Sequence, residues 1–350
     1  MNLVVYGISH AIVDAACVAL IFSLLVSNAI NIEYFVALAI IYNVLAFGTQ
    51  PIFGLITDKI KNPKFSAISG SLLTALAILI AFLSPLAATI IAGIANALFH
   101  IGGGTISLNL TKNKATAPAI FVAPGALGLL IGTFIGGSRN FIAWPFIIVL
   151  IFMSMAMYFT KHPKINYRQD EKINVKYFEL IILLLFFVVA IRSLIGSVVA
   201  LPWKTDLLLL FVFTMGVVLG KALGGILGDK YGWTKVSVIS LVVSAPLLAF
   251  GAMNPYLAIF GMFLFNFTMP ITLVAISNTL PGRPGFSFGL TTLALIVGFL
   301  LTYTDLKTQL STNLAIFVII LISTVLLFYA LKLYDSKIKL PKNKIISRGK

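Results

Sequence analysis

The sequence predicts an all-α polytopic membrane protein in which twelve transmembrane helices form two pseudo-symmetric six-helix bundles. Three observations point to this fold class. The chain is 60% hydrophobic and only 10% charged, its apolar residues form twelve long runs, and a short polar motif recurs half a chain apart. Soluble domains are about 45–50% apolar and about 25% charged. Together with a mean hydropathy of +1.07, this composition excludes an ordinary water-soluble domain.

The apolar runs are long enough to cross the hydrocarbon core, which takes roughly 17 to 25 helical residues. Polar or Pro- and Gly-containing segments separate them, and they lack the alternating pattern of a transmembrane β-barrel. The twelve predicted helices cover Leu3–Ser27, Tyr34–Thr57, Phe65–Leu83, Leu86–Leu110, Pro118–Gly137, Phe141–Phe159, Tyr177–Ala200, Leu207–Gly228, Val236–Met253, Tyr256–Leu280, Phe286–Thr304 and Thr312–Leu333.

The basic residues predict how these helices are oriented. The 25 Lys and Arg exceed the 10 Asp and Glu, and most lie between the apolar runs. With a cytoplasmic N-terminus, 20 of them lie in cytoplasmic segments, and only Arg139, Lys204 and Lys307 lie in outside segments. Lys and Arg favour the cytoplasmic side of membranes. We therefore expect a multi-pass inner (plasma) membrane protein with both termini in the cytoplasm. The net charge of +15 then needs no nucleic-acid partner.

A basic stretch divides the chain into two halves. We predict an N-terminal six-helix bundle at residues 1–160, a cytoplasmic linker at 161–176, a C-terminal bundle at 177–333 and a basic cytoplasmic tail at 334–350. The tail is expected to lie against anionic lipid headgroups. The single cysteine, Cys17, cannot form an internal disulfide.

A polar turn motif, Gly-x-x-x-Asp-Lys, recurs in the two halves at an offset of 171 residues. It joins helices 2 and 3 in the first half and helices 8 and 9 in the second. At an offset of 170, Asn96 aligns with Asn266 and Gly128 with Gly298. Because Asn and Asp are scarce within the apolar runs, these matches indicate an internal duplication. The motif residues are Gly54, Asp58 and Lys59 in the first copy, and Gly225, Asp229, Lys230 and Gly232 in the second.

Two parallel six-helix halves that carry this turn at the same place resemble the major facilitator superfamily of secondary transporters. The resemblance covers essentially the whole chain and implies alternating access, in which the two halves rock about a central site. The turn is then a candidate gating motif, and the alternative is that it only fixes the topology. The first copy has Lys61 where the motif has Gly, so we expect the turn between helices 2 and 3 to pack less closely.

Ionisable side chains within the predicted helices are candidate functional residues, because a charge in the bilayer must be paired, neutralised or exposed to water. Asp14 lies roughly 16 Å along helix 1, near mid-membrane. His10 lies one turn earlier on the same face, where the two side chains can share a proton. We assign proton coupling to Asp14 and His10. A static hydrogen bond between helices is the alternative role.

Helix 4 carries two further candidates, Asn96 and His100, which lie one turn apart and are predicted to line the substrate cavity. The pattern His10-x-x-x-Asp14 in helix 1, with Phe99 before His100 in helix 4, resembles the fosmidomycin-resistance-type branch of the superfamily. That resemblance implies a proton-driven exporter. A packing histidine is the alternative role for His100.

Two cations lie within the second half, Arg192 in helix 7 and Lys221 in helix 8. Arg does not readily lose its proton, so it needs an anion or water nearby. Because helices 1 and 7 occupy equivalent places in the two halves, Arg192 is a candidate counter-ion of Asp14 or a site for an anionic substrate. Lys221 and Asn266 are predicted to line the same cavity. The alternatives are that Lys221 extends to the interface and that Asn266 only bridges helices.

Helix 5 contains a run of small residues at four-residue spacing. Its sequence, Gly128-x-x-x-Gly132-Thr133-x-x-Gly136-Gly137, resembles the antiporter motif of the superfamily's exporters, with Thr133 in place of proline. Small residues at this spacing let helices pack face to face. The resemblance favours export.

These features predict a proton-coupled secondary transporter that exports a small organic solute, and the two buried cations favour an anion. The nearest alternative is a symporter or facilitator that imports a small organic anion. A membrane enzyme or receptor is more distant, because the interface loops are short and poor in catalytic residue types. The expected partners are a small-molecule substrate, protons and lipid, and we expect a monomer. The sequence contains no evident metal-ligand motif, phosphate loop or nucleophile, so no metal or cofactor is expected.

Overall fold

The computed structural model describes residues 2–26, 30–138, 142–161, 163–167 and 177–338, and every regular element within these ranges is helical. Twelve long helices follow one another along the chain. They are α1 (Asn2–Val26), α2 (Ile32–Ile60), α3 (Pro63–Ile80), α4 (Pro85–Leu110), α5 (Thr116–Gly136), α6 (Trp144–Phe159), α7 (Phe178–Val198), α8 (Leu207–Tyr231), α9 (Trp233–Ala249), α10 (Pro255–Thr279), α11 (Pro284–Tyr303) and α12 (Asn313–Ile338).

Ten of these helices are long and apolar enough to cross a membrane. The other two, α6 and α9, are shorter apolar helices of 16 and 17 residues. Two further short helices, Pro202–Thr205 and Leu306–Leu310, precede α8 and α12. The predicted fold class is therefore confirmed.

The local sequence explains where several helices begin. Asn62, Ser84 and Asn254 cap α3, α4 and α10, because each side chain accepts a hydrogen bond from a backbone amide of the first turn. Asp206 does the same for α8. A proline follows each of the first three caps, where its fixed φ suits the helix and its missing N–H is not needed. These helix ends are thus specified by residues within the turns themselves.

Three helices are interrupted along their membrane-crossing length. Helix α2 contains a π-helical segment at Val44–Gly48, α5 is broken after Val122, and α10 is broken after Phe265. Such interruptions release backbone groups from the helical hydrogen-bond pattern, so that side chains can bind them. The break in α5 has this consequence for the site described below.

The helices pack in two groups that contact each other through several helix pairs. In the first half α1 packs on α5 and α3 on α4, and in the second half α7 packs on α11 and α12. Between the halves, α2 contacts α11 and α5 contacts α8. Gly128 of α5 lies against the carbonyl of Ala11 in α1, and Gly298 of α11 lies against the carbonyl of Ala190 in α7. The duplication inferred from the sequence therefore corresponds to the same helix contact in each half.

Some helix boundaries differ from the predicted ones. Helix α9 begins at Trp233 rather than Val236, because Gly232 (φ 97°) ends α8 directly before it. Helix α12 continues to Ile338, beyond the predicted end at Leu333 and into the predicted tail. The predicted start of helix 6 at Phe141, most of the linker at 161–176 and most of the tail lie outside the described residues. The domain boundaries therefore stay predictions.

Lys61, which replaces the glycine of the first turn motif, adopts a left-handed backbone conformation. It ends α2 with φ 59° and ψ 27°, and its amide donates to the carbonyl of Thr57. This conformation is costly for a residue with a Cβ atom and is readily adopted by glycine. The departure from the motif is accommodated as local strain at one exposed residue.

Replacing Lys61 by Gly is expected to stabilise the protein by roughly 0.5–1 kcal/mol, because it relieves this strain and changes no buried contact. The apparent Tm in detergent micelles measures the effect. Lys61→Ala removes the same charge but keeps a Cβ atom, so it is the matched control. Equal Tm values for the two variants would contradict the proposed strain.

Candidate functional site

The site is built on the close contact between α1 and α5. Gly128, Gly132 and Gly136 lie against the carbonyl oxygens of Ala11, Ala15 and Ala19, and a Cβ atom at any of the three would overlap the α1 backbone. Small residues at this spacing allow two helices to touch through their backbones. Gly137, the last glycine of the predicted antiporter-like motif, instead lies at the C-terminus of α5.

Gly125 extends this glycine row towards the two ionisable residues of α1. A Cβ atom built on Gly125 would lie 2.6 Å from His10 Nε2 and 2.7 Å from Asp14 Oδ2. Gly125 directly follows the break in α5. His10 binds the carbonyl of Phe121, which lies in the last turn before that break. The absence of a side chain at Gly125 thus leaves room for His10 and Asp14 to face α5.

His10 and Asp14 of α1 meet His100 of α4, and we call these three residues the His–Asp cluster. The Nε2 atoms of the two histidines lie 2.9 Å apart. Asp14 Oδ2 lies 3.1 Å from His10 Nε2, and Asp14 Oδ1 lies 3.6 Å from His100 Nε2. All three side chains are buried, with exposed fractions of 5–6%. The structure thus places both predicted proton-coupling residues in one cluster with a predicted cavity residue.

Hydrogen bonds to the backbone determine the histidine tautomers. His10 Nδ1 lies 2.8 Å from the carbonyl oxygen of Phe121, and His100 Nδ1 lies 2.9 Å from that of Asn96. A carbonyl oxygen only accepts, so each Nδ1 carries a proton and donates it. In a neutral imidazole the Nε2 atom then bears a lone pair. Two lone-pair nitrogens and a carboxylate therefore converge, an arrangement that needs a shared proton or another cation between them.

Asn96 and a set of aromatic rings surround the His–Asp cluster. Asn96 Nδ2 donates to Asp14 Oδ1 over 3.0 Å, whereas the Oδ1 atom of Asn96 is buried without a hydrogen-bond partner. The His10 ring stacks on Phe121 with centroids 4.8 Å apart, and Phe99 lies 6.2 Å away. Gly103 makes this packing feasible, because a Cβ atom there would lie 2.7 Å from the Phe121 ring. The cluster is thus enclosed by apolar surface on these sides.

The sequence analysis identified each of these residues but did not identify the cluster as a set of metal ligands. His10 and His100 are 90 residues apart in sequence, so no short motif joins them. In the structure one ligand atom from each of the three cluster residues lies within 4.8 Å of the others. The tertiary structure thus brings together three potential ligands that no local sequence motif joins.

The second half contributes two cations within its helices. Arg192 of α7 is 8% exposed, and Lys221 of α8 is half-buried. The charges of Arg192 and Asp14 both act on Lys221, and the charge of Lys221 acts on His100. Lys221 thus interacts electrostatically with the His–Asp cluster across the two halves.

Arg192 does not form the ion pair with Asp14 that helix equivalence suggested. Its NH1 group donates to the Thr272 hydroxyl over 3.1 Å, and its NH2 group is buried without a hydrogen-bond partner. Asp14 is instead bound by the histidines and Asn96. Asn266, the sequence equivalent of Asn96, donates to the Met262 carbonyl of its own helix and reaches no ionisable side chain through that bond. The two halves therefore use equivalent positions differently.

The two turn-motif carboxylates join the halves at the predicted cytoplasmic side. Asp58 accepts hydrogen bonds from the backbone amides of Gly285 and Phe286 at the start of α11, both over 2.9 Å. Asp229 accepts from the amides of Ala115 and Thr116 at the start of α5, over 2.9 and 2.8 Å. A carboxylate at a helix N-terminus is favourable because it meets unbonded amides and the positive end of the helix dipole. A carboxylate of the first half therefore binds a helix N-terminus of the second half, and a carboxylate of the second half binds one of the first.

Glycines of the motifs permit this approach. A Cβ atom on Gly54 would overlap the backbone of Gly285, and one on Gly225 would lie 2.7 Å from the Ala115 carbonyl. Lys59 and Lys230 follow the two carboxylates, and Lys230 lies over the Tyr231 ring at 5.0 Å. Tyr167 of the predicted linker has a raised pKa, because its phenol is buried and the Asp58 charge acts on it.

Comparisons with known proteins identify the fold. No protein family model matches the sequence, and no curated protein matches it. The structure resembles the E. coli fucose:proton symporter FucP, a major facilitator superfamily transporter, with a TM-score of 0.71 at 10% identity over 94% of this chain and 97% of FucP. The human organic anion transporter MFSD10 gives 0.70 at 14% identity, over 95% and 98% of the two chains.

A bacterial homologue of the iron transporter ferroportin, in an outward-facing state, gives a TM-score of 0.60 at 14% identity, over 96% of this chain and 99% of that chain. All three neighbours are membrane transporters. The chain therefore has the fold of the major facilitator superfamily transporters along almost its whole described length, with many apolar helices suited to a multi-pass membrane protein.

Asp229→Asn is expected to separate the halves on the α5–α8 side, because the neutral side chain loses its charge-assisted bonds to Ala115 and Thr116. Spin labels at Lys112→Cys and Lys235→Cys, in a Cys17→Ala background, measure the distance between the halves by pulsed electron paramagnetic resonance. We expect a longer and broader distance distribution than in the parent protein.

Asp335→Asn, which alters an exposed carboxylate of α12, is the matched control for this measurement. An Asp229→Asn distribution that matches that of Asp335→Asn would show that the Asp229 contact does not hold the halves together.

Proposed function

We propose that this chain is a proton-coupled secondary transporter of the major facilitator superfamily that exports a small organic anion by alternating access. Its fold neighbours are transporters, which supports transport as the general activity. On this proposal the protein acts as a monomer in the inner membrane, with both termini in the cytoplasm. Proton coupling rests on one observation: two histidine nitrogens and the Asp14 carboxylate converge in the His–Asp cluster.

The His–Asp cluster supports proton binding because its three converging acceptor atoms need a positive charge between them. A single proton on one Nε2 atom satisfies both the second imidazole and the carboxylate of Asp14. Asn96 holds that carboxylate from the other side over 3.0 Å. Gaining or losing this proton changes the net charge of a buried site, and such a change alters which packing of the halves is favoured.

Arg192 and Lys221 support an anionic substrate. The Arg192 guanidinium is buried, with one hydrogen bond to Thr272 and a second nitrogen that has no hydrogen-bond partner. A buried guanidinium is stabilised most by an anion that accepts hydrogen bonds from its free N–H groups. Because the charges of Asp14 and Lys221 act on each other, a substrate anion and a deprotonated Asp14 compete for Lys221. Protonation of Asp14 frees this cation, so proton binding at Asp14 and anion binding are thereby linked.

Forming and breaking the turn-motif contacts would give the two states that such a transporter needs. In this structure Asp58 and Asp229 hold the halves together at the predicted cytoplasmic side. Opening on that side requires these contacts to break, so they are proposed to act as the gate. The charge change at the cluster is proposed to bias the equilibrium between the closed and open arrangements.

Import of an anion by symport or facilitated diffusion is the second candidate. It is favoured by one specific observation, the similarity to FucP, which is a proton symporter. The antiporter-like glycine row of α5 favours export. Flux measurements in proteoliposomes with the pH gradient imposed in either direction distinguish export, symport and uncoupled diffusion.

Asp14→Asn is expected to abolish uphill, proton-driven flux while substrate exchange or binding stays measurable. The amide keeps the shape of the side chain but removes the charge that makes the cluster bind a proton. Glu33→Gln, which changes an exposed carboxylate of α2, is the matched control and should transport as the parent does. Unchanged uphill transport in Asp14→Asn would eliminate the proposed coupling mechanism.

Arg192→Gln is expected to weaken anion binding by at least about tenfold, because it removes the charge that binds the anion, whereas Arg192→Lys keeps the charge and should lose less. A screen of thermal stability with anionic, neutral and cationic solutes at two pH values measures binding, since a ligand of the native state raises the apparent Tm. Stabilisation by anions that is equal in the parent and in Arg192→Gln would refute this assignment.

A further inference from the structure

The His–Asp cluster presents three ligand atoms of the types that bind transition metals. Two imidazole nitrogens and one carboxylate oxygen converge from α1 and α4, and all lie within 4.8 Å of one another. We propose that His10, His100 and Asp14 form a binding site for one divalent transition-metal ion such as Zn²⁺ or Co²⁺. This site goes beyond the proposed transport activity, because binding of a metal ion to the cluster does not require a transported solute.

The distances within the cluster fit a metal ion. Ligands that bind Zn²⁺ tetrahedrally at about 2.0–2.1 Å lie roughly 3.3 Å from one another. The three closest separations here are 2.9 Å between the histidine nitrogens, and 3.1 and 3.6 Å between those nitrogens and the oxygens of Asp14. The latter two distances involve different Asp14 oxygens, so the carboxylate can bind one ion through both oxygens, or through one oxygen after a rotation of its side chain.

The groups behind the ligands are arranged as metal sites require. Each histidine donates its Nδ1 proton to a backbone carbonyl, of Phe121 for His10 and of Asn96 for His100, so each directs the lone pair of Nε2 at the other ligands. Asn96 also binds the carboxylate of Asp14. Such outer contacts fix the tautomer and orientation of ligating histidines, and losing one typically costs 10–100-fold in metal affinity. The cluster is therefore preorganised without the ion.

Gly125 leaves the room in which the ion binds. A Cβ atom there would lie within 2.6–2.7 Å of both His10 Nε2 and Asp14 Oδ2, the atoms that face the metal position. The backbone of Gly125 is not left-handed, because its φ is not positive. The backbone conformation therefore does not explain the glycine at this position. The space needed beside the ligands does explain it.

The ligand set selects the class of metal. Imidazole with one carboxylate suits divalent ions such as Zn²⁺, Co²⁺, Fe²⁺ and Ni²⁺, whereas Mg²⁺ and Ca²⁺ prefer oxygen ligands alone. Cu⁺ prefers thiolates, and Cys17 bonds to Thr74 and Ala92 rather than to the cluster. Because the metal and the shared proton use the same lone pairs, the cluster holds one or the other.

Visible absorption of Co²⁺ tests the site on the purified full-length protein in detergent, with any affinity tag removed. Titration of the chelator-treated protein should give saturable d–d bands with one ion per chain. His10→Gln and His100→Gln should each weaken binding at least about 100-fold, since each removes a ligand. His162→Gln changes the third histidine of the chain and should bind as the parent does.

Gly125→Ala keeps all three ligands and fills the space between them, so it should lose binding by at least about tenfold. Gly7→Ala is its matched control on α1, because a Cβ atom there meets only ordinary contacts at 3.5 and 3.7 Å. The apparent Tm without metal shows that each variant is folded, and a Tm rise with Co²⁺ should follow the absorption result.

Absence of saturable Co²⁺ bands in the parent protein would overturn the metal site, as would equal affinity in His10→Gln and His162→Gln. Either result leaves the proposed function standing if uphill flux still depends on Asp14. Conversely, Co²⁺ binding with flux that is insensitive to the pH gradient would overturn the proposed function and leave the metal site standing.

Discussion

The backbone contact between α1 and α5 is the feature on which the site depends. Three glycines of α5 lie against three carbonyls of α1, so the helices approach more closely than side chains would allow. This approach brings the break in α5 next to His10, where the Phe121 carbonyl becomes a hydrogen-bond acceptor. It also encloses Asp14 in apolar surface, where a carboxylate has to find its partners within the protein. Packing of apolar helices thus determines the chemistry of the buried polar groups.

The two halves share a scaffold and differ in charge. Gly128 and Gly298 mark the same helix contact in each half, and Asp58 and Asp229 make the same carboxylate contact with a helix N-terminus across the interface. The buried ionisable groups do not follow this symmetry, because the first half carries the His–Asp cluster and the second carries Arg192 and Lys221. The duplicated scaffold gives the two halves equivalent helix contacts, whereas the unequal side chains give them opposite charge.

Much of the fold could be predicted from the sequence, because long apolar runs and the bias of basic loops are properties of the chain alone. The turn motif, the glycine row of α5 and the individual polar residues were also evident. Their arrangement was not. No local pattern joins His10 to His100, and the pairing of Arg192 with Thr272 rather than Asp14 depends on how α7 and α10 pack. The strain at Lys61 follows from a backbone angle that a substituted motif does not reveal.

Gly125 has a consequence for recognising relatives of this chain. A methyl group at that position would press on His10 and Asp14, so a sequence that keeps the cluster also has to keep this glycine. Four positions spread over α1, α4 and α5 therefore form a structural fingerprint that is independent of overall identity. Since the fold neighbours share only 10–14% identity with this chain, such a fingerprint can sort distant sequences where whole-chain alignment fails.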